Sequence, residues 1–183
     1  EVPFYTVPDQ NGEQVKSILS NFPVDILIIT EGPIIRGQIL YLPRLCVLNI
    51  HAARLPQYRG NWTTRFALYH DEPPMVSAHI VTPWIDEGAI IKTRKFPVRQ
   101  GDTLEMIDQN AMKASCLLAA EVLQEVNRSG LVAKEQMLWE GTTYRGTWVN
   151  GNLLPAMPIL IQEELATRLA KGEYGFYDNE SAK

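Results

Sequence analysis

The chain has few cysteines, no long apolar run and no excess of basic residues. Its two cysteines, Cys46 and Cys116, form no C-x-x-C pair and have no histidine at metal-ligand spacing. This pattern argues against a zinc site or a disulfide framework, so we expect two buried, reduced thiols in a cytoplasmic protein. No stretch approaches the roughly 18 apolar residues that span a bilayer, so the sequence predicts no membrane segment.

The charge balance excludes an obvious polyanion-binding surface. There are 17 Lys and Arg residues against 21 Asp and Glu residues, which gives a net charge of −4 and a pI near 5.4. Such a balance leaves no electrostatic footprint for nucleic acid or an anionic membrane. The composition, 45% hydrophobic and 21% charged, is that of a globular protein, and 183 residues suit one domain with an appendage.

Strand and helix patterns alternate along the chain. Strands are predicted for VPFY (2–5), VDILIIT (24–30), LCVLNIH (45–51), MVSAHIVT (75–82) and AIIKTRKFPV (89–98). Helices are predicted for residues 11–22, 62–69, 101–127 and 161–172. The run at 24–30 has the composition of a strand buried on both faces, as in a parallel sheet. The alternation favours the α/β class with a doubly wound, mostly parallel sheet.

The longest predicted helix has a clear start and an apolar face. Asp102 or Thr103 can cap it, and Glu105 follows in the first turn. Its apolar face is predicted to comprise Leu104, Ile107, Met112, Cys116, Leu117, Ala120 and Leu123.

The end of the strand LCVLNIH carries an unusual pair, Asn49 and His51. Side chains alternate along a strand, so these two lie on one face, and ligands of open α/β sheets bind at such strand ends. Asn-x-His alone favours the simpler reading, two polar residues that hydrogen-bond the next loop. Asp86 changes this, because it follows another predicted strand in the loop TPWIDEG and the fold could bring it beside His51.

Together, NIHAARLPQYRG and SAHIVTPWIDEGAII resemble the folate-dependent formyltransferases, the N-formyltransferases that use 10-formyltetrahydrofolate. Tyr58-Arg59-Gly60 is closest in form to the sugar N-formyltransferase and methionyl-tRNA formyltransferase branches. The resemblance covers residues 2–127 and implies a Rossmann-like catalytic domain at 1–130 with a C-terminal extension at 131–183. The family begins with two further βα units that this sequence lacks, so we expect a preceding segment in the same chain or as a partner.

The resemblance also implies a mechanism without a metal. An amine attacks the formyl carbon of 10-formyltetrahydrofolate, and Asn49 would donate to the oxyanion that develops. His51 would stabilise this charge as imidazolium or carry the proton from the amine to the folate nitrogen. Asp86 would favour the charged imidazole and order water. Ser77 and His79, which alternate onto one strand face, are expected to support these groups.

In the family, the folate pocket is lined by two loops that correspond here to EGPIIRG and TPWIDEG. The implied contacts are Gly32, Pro33, Ile34, Ile35, Trp84 and Ile85. Trp84 could equally be a loop anchor packed on the core. Arg59 is expected either to bind an acidic part of the acceptor or, as we favour, to pin its loop to a carboxylate.

The leading interpretation is an N-formyltransferase acting on a small-molecule primary amine, with an amino sugar, free or nucleotide-linked, as first choice. Residues 131–183 hold five Lys or Arg and seven Asp or Glu, which argues against a tRNA acceptor. Two alternatives stay open: a hydrolase that releases formate from the same folate, and a non-catalytic folate-binding or interaction module. The sequence leaves a homodimer open.

Overall fold

The computed structural model describes residues 3–30, 32, 34–149, 152–154 and 157–176. Within these residues the elements are, in chain order, α1 (Glu13–Asn21), β1 (Ile26–Thr30), β2 (Cys46–His51), β3 (Tyr58–Gly60), α2 (Thr63–Tyr69), β4 (Met75–Ile80), β5 (Ile90–Lys95), α3 (Leu104–Ser129), β6 (Thr142–Tyr144), β7 (Thr147–Val149), β8 (Asn152–Leu154) and α4 (Ile159–Lys171). Short 3-10 turns lie at Gly37–Tyr41 and Leu138–Glu140.

The central sheet confirms the α/β class and differs from the expected strand directions. Its order is β1-β2-β4-β5, with β1 parallel to β2. β4 is antiparallel to both β2 and β5, so the described strands are not mostly parallel. The link 81–89 between β4 and β5 explains one antiparallel pair, since a parallel crossover needs about a dozen residues or more. Small two-stranded sheets, β3-β6 and β7-β8, lie outside it.

A hydrophobic core lies on each face of the sheet. The larger core takes alternate residues of β2, Cys46, Leu48 and Ile50, and packs them against α3 and α4. The smaller core takes Val47 of β2 and packs it against the 3-10 turn at Gly37–Tyr41. Because strand side chains alternate, Asn49 and His51 lie on the same face of β2 as Val47.

The predicted apolar face of α3 is largely wrong: Ile107 is buried and Leu104 half-buried, whereas Met112, Cys116, Leu117, Ala120 and Leu123 are exposed. Thr103 is the N-cap, and its hydroxyl accepts a hydrogen bond from the Met106 N–H at 3.2 Å. Met112 and Leu117, predicted to be buried, are 55% and 54% exposed. The buried residues are Ile107, Ala111, Ala114, Ser115, Leu118 and Val122. Small alanine and serine side chains let the helix approach the sheet closely, so packing fit outweighs side-chain hydrophobicity here.

Two further expectations are corrected. Residues 3–5 form no strand, and Pro3 lacks the N–H that a sheet ladder requires. Cys46 is buried, and burial raises the pKa of its thiol, but Cys116 is exposed on α3. In the described part of the chain, no helix combines the length and apolarity that crossing a bilayer requires.

Residues beyond 130 pack back onto the main body. Met157, Leu165 and Leu169 are fully buried and belong to the larger core. The predicted boundary at residue 130 stays a prediction.

Candidate active site

Two neighbouring strands bring four polar side chains together at one end of the sheet. In the antiparallel β2-β4 pair, Asn49 lies opposite His79, and His51 lies opposite Ser77. Opposed residues of an antiparallel pair share a face. The expectation that Ser77 and His79 share a strand face is therefore confirmed, and that face is also the one that carries Asn49 and His51.

Asp86 completes this cluster from the loop between β4 and β5. Its Oδ2 accepts a hydrogen bond from the Gly60 N–H at 2.8 Å and lies 3.2 Å from His51 Nε2. Its Oδ1 lies 3.5 Å from His79 Nε2. The fold thus places Asp86 beside His51, as the sequence predicted.

The His79 imidazole orients the Asn49 amide. Its Nδ1 lies 3.0 Å from the Ile80 carbonyl oxygen, which can only accept, so this nitrogen carries a proton. Its Nε2 lies 3.1 Å from Asn49 Nδ2 and 3.5 Å from Asp86 Oδ1. His79 therefore contacts the Asn49 amide, and in the described residues the Asn49 amide nitrogen has no second hydrogen-bond partner.

His51 is buried, and its Nε2 faces the Asp86 carboxylate. In the described residues its Nε2 has no aligned hydrogen-bond partner, although Asp86 is near. Burial lowers the pKa of His51 and outweighs the Asp86 charge, which raises it; His79 lowers it further. Asp86 raises the pKa of His51, as expected, but burial and His79 outweigh it. The His51 imidazole is therefore neutral at neutral pH.

Asp86 is an ionised carboxylate at neutral pH. Burial raises the pKa of this carboxyl, but the His79 and His51 imidazoles and the Gly60 N–H outweigh it and lower the pKa to about 2. The site thus pairs a neutral imidazole with an ionised carboxylate. This arrangement suits proton abstraction, because the imidazolium that forms on proton uptake has a counter-charge in place.

Ser77 supports the loop that follows His51. Its hydroxyl donates to the Ala53 carbonyl oxygen at 2.6 Å and accepts from the Leu55 N–H at 3.3 Å. The Leu55–Pro56 peptide bond within this loop is cis. Ser77 thus shapes the loop backbone.

Arg59 pins the same loop to the segment after α3. It is 5% exposed, and its guanidinium donates to the carbonyl oxygens of Pro56 (2.8 Å), Gly141 (3.1 Å) and Leu138 (3.2 Å) and to Thr143 Oγ1 (3.1 Å). This supports the pin over acceptor binding. Its partners are carbonyl and hydroxyl oxygens, where a carboxylate was expected.

The first predicted folate loop has an exposed and a buried part. Gly32 is exposed and Ile34 is 61% exposed, whereas Ile35 is 9% exposed and belongs to the smaller core. Pro33 lies outside the described residues. Asn11 fixes the backbone here, because its amide nitrogen donates to the Ile34 carbonyl oxygen at 2.9 Å. Ile34 can contact a ligand, while Ile35 anchors the loop.

The second predicted folate loop presents an aromatic ring to solvent. Trp84 is 71% exposed, which contradicts the alternative of a core anchor. Its backbone N–H donates to Thr82 Oγ1 at 3.3 Å. Ile85, between Trp84 and Asp86, is half-buried. Contact of Trp84 and Ile85 with folate stays a prediction.

Sequence reasoning missed Gly60 and Gln136. Gly60 has φ +91°, and a Cβ there would lie 2.0 Å from the Tyr144 carbonyl oxygen, so the position requires glycine. The Gly in Tyr-Arg-Gly was a usable signal for it. Gln136 donates its side-chain amide to the Asp86 and Gly88 carbonyl oxygens at 2.8 and 2.7 Å. Nothing local in the sequence indicates this contact.

Comparison with known sequences agrees with the geometry. The profile of the family described as formyl transferase matches residues 5–123. The chain is 27% identical over 138 residues to the methionyl-tRNA formyltransferase of Thermotoga maritima, which covers 74% of this chain and 44% of that protein. The chain spans less than half the length of the first curated relatives that it matches.

Solved structures share the fold. Formyltransferase PseJ from Anoxybacillus kamchatkensis, in complex with UDP-4,6-dideoxy-4-formamido-L-AltNAc and tetrahydrofolate, matches with a TM-score of 0.62 at 22% identity, over 76% of this chain and 71% of that chain. Glycinamide ribonucleotide transformylase 1 from Symbiobacterium toebii matches with a TM-score of 0.53 at 27% identity, over 67% of this chain and 61% of that chain.

The family profile covers more than half of the chain, and the stretch that it matches contains Asn49, His51 and Asp86. The chain therefore belongs to the formyl transferase family.

Proposed function

We propose that this chain carries the catalytic centre of an N-formyltransferase that moves a formyl group from 10-formyltetrahydrofolate to a primary amine. The observation that carries the proposal is the meeting of Asn49, His51 and Asp86 on one sheet face, in a chain of this family. The formyl-folate co-substrate is supported by PseJ, whose structure contains tetrahydrofolate.

In the proposed reaction, the acceptor nitrogen attacks the formyl carbon, and the carbonyl oxygen becomes an oxyanion. The free N–H of Asn49 donates to this oxygen. His51, neutral at rest, takes the proton that the amine loses on forming the new C–N bond. It then delivers that proton to the folate nitrogen as the old C–N bond breaks. Asp86 stabilises the imidazolium between the two transfers.

We infer that the acceptor is an amino sugar. PseJ, the structural neighbour named above, was crystallised with a nucleotide-linked formamido sugar, and its fold matches 76% of this chain. The acidic balance of residues 131–183 also gives a tRNA phosphate backbone little to bind.

Methionyl-tRNA is the second candidate acceptor. The first curated relatives by sequence are all named methionyl-tRNA formyltransferases. This similarity favours a tRNA acceptor, whereas the acidic charge of residues 131–183 disfavours one. Experiment decides between the amino sugar and methionyl-tRNA.

The test supplies 10-formyltetrahydrofolate with nucleotide-linked amino sugars, with methionyl-tRNA, or with no acceptor, and measures tetrahydrofolate, formate and the formylated product. Formylated sugar that depends on His51 supports the proposal. If methionyl-tRNA is the only acceptor that becomes formylated, the inferred amino-sugar acceptor is wrong and methionyl-tRNA is the acceptor. Formate released without an acceptor identifies a hydrolase. Folate binding without turnover identifies a non-catalytic module.

A further inference from the structure

One segment, residues 134–144, runs along both loops that form the site; we call it the strap. Lys134 at its start exchanges two backbone hydrogen bonds with Ile90, at 2.8 and 2.7 Å. Its end, β6, pairs in parallel with β3, the strand that contains Gly60. The strap therefore contacts two places next to Asp86. One is Gly60 in β3, whose N–H donates to Asp86, and the other is Ile90, the first residue of β5, which follows the Asp86 loop.

Gln136 is the strap residue that contacts the Asp86 loop directly. Its Nε2 donates to the Asp86 carbonyl oxygen at 2.8 Å and to the Gly88 carbonyl oxygen at 2.7 Å. Only the nitrogen of a side-chain amide can donate, so these two carbonyls set the amide orientation. Both of its N–H groups serve the loop backbone, and neither is left for a ligand.

The backbone that Gln136 holds has little freedom. Asp86 has φ +54°, a left-handed conformation that is strained for a non-glycine residue and persists only where neighbours impose it. At Gly88, an added Cβ would lie 1.8 Å from the Ile80 carbonyl oxygen, so the loop is pressed against β4. Gln136 hydrogen-bonds the backbone carbonyl groups of both Asp86 and Gly88.

We propose that Gln136 is a positioning residue, which holds the Asp86 carboxylate against His51 by fixing the Asp86 backbone. It is not a catalytic residue, because it acts through Asp86. Its relevance to turnover rests on the proposed function, whereas the geometric effect does not.

His51 can report the position of Asp86. The ionisable groups whose charges act on it are Asp86, from the loop, and His79, from β4. Asp86 raises the pKa of His51, so an Asp86 that leaves its place lowers that pKa. The pKa of His51 in solution therefore measures how firmly the loop is held.

The experiment titrates the three histidines by NMR in the substrate-free chain, with resonances assigned from single histidine variants. The variants are Gln136→Met, which keeps the length but removes the donors, Asp86→Asn, and the double variant. Gln162→Met is the matched control, because Gln162 also donates its amide to a backbone carbonyl, that of Met157 at 3.1 Å. If Gln136→Met does not fold, Gln136→Asn, which is too short to reach both carbonyls, carries the test.

Gln136→Met is expected to lower the pKa of His51 by less than Asp86→Asn does, and Gln162→Met to leave it unchanged. In the double variant, Gln136→Met should add nothing to the effect of Asp86→Asn, since both act on one interaction. In turnover, kcat should fall by up to about 100-fold with little change in KM.

The proposal is overturned if Gln136→Met leaves the titration of His51 at its wild-type position, or shifts it equally with and without Asp86. It is also overturned if Asp86→Asn leaves that titration unmoved. Absence of formyl transfer in the wild-type chain, with the expected titrations, removes the proposed function and leaves the positioning role standing.

Discussion

Asp86→Asn tests the charge pair at the centre of the site. The substitution keeps the shape of the side chain and removes its charge. The His51 Nε2 and Asp86 Oδ2 atoms are 3.2 Å apart, and both side chains are less than a fifth exposed. Coulomb's law with an effective dielectric constant of about 20 then gives an upper limit of about 5 kcal/mol for the charged pair. Since each 1.36 kcal/mol is tenfold in rate, the upper limit corresponds to about 10⁴-fold.

We expect kcat/KM to fall by about 10²–10⁴-fold, because part of that energy is offset by rearrangement and general acid–base catalysis contributes in this range. The pH profile should change as well. The proposed mechanism requires neutral His51, so activity is expected to fall on the acid side of the His51 pKa. Asp86 raises that pKa, so the acid limb should move to lower pH in the variant.

The assay is kcat/KM for 10-formyltetrahydrofolate as a function of pH, in wild type and Asp86→Asn. Glu87→Gln is the matched control, because it removes one charge from the neighbouring position of the same loop. A plateau within a few-fold of wild type, or an acid limb that stays in place, would refute the assignment of Asp86 as the partner of His51.

Four further outcomes are expected. Trp84→Ala should raise KM for the folate and leave the unfolding free energy within about 0.5 kcal/mol, because the ring is 71% exposed; an unchanged KM would contradict the folate contact. Gly60→Ala should lower the melting temperature, since its Cβ would clash with Tyr144. Arg59→Met should cost about 2–4 kcal/mol in urea unfolding, because it leaves buried carbonyls without donors; a neutral effect would contradict the pin. Because the pKa of His51 is lowered on folding, the unfolded state binds more protons, so unfolding free energy should fall as pH drops below about 6.5; His51→Gln should weaken this slope.

Local patterns predicted most elements of the fold. The apolar runs at 24–30 and 45–51 form β1 and β2, and Thr103, one of two predicted caps, caps α3, because strand composition and capping chemistry act over a few residues. Strand direction was not local. The short link 81–89, which is visible in the sequence, accounts for the antiparallel β4-β5 pair, but no local pattern indicates that β4 runs antiparallel to β2.

The centre of the site was predictable for a similar reason. The spacing of Asn49 and His51 is a local fact, and Asp86 was indicated by its place after a predicted strand and then by the family resemblance. The hydrogen bonds that hold Asp86 in place were not predictable, because a hydrogen bond from Gly60 or Gln136 depends on how distant loops meet. Arg59 shows the same limit. Its role as a pin was expected, but its partners, mostly backbone carbonyl oxygens, carry no sequence signal.

These supports bear on where the catalytic unit ends. The predicted boundary near residue 130 keeps Asn49, His51 and Asp86 on one side. The strap, which lies beyond it, nonetheless holds the Asp86 loop through Gln136 and lies against β3 through β6. A left-handed Asp86 needs neighbours that impose its conformation, and the strap supplies one hydrogen bond to the Asp86 carbonyl oxygen and one to that of Gly88. The residues proposed to carry the chemistry and the residue proposed to position Asp86 therefore lie on opposite sides of that predicted boundary.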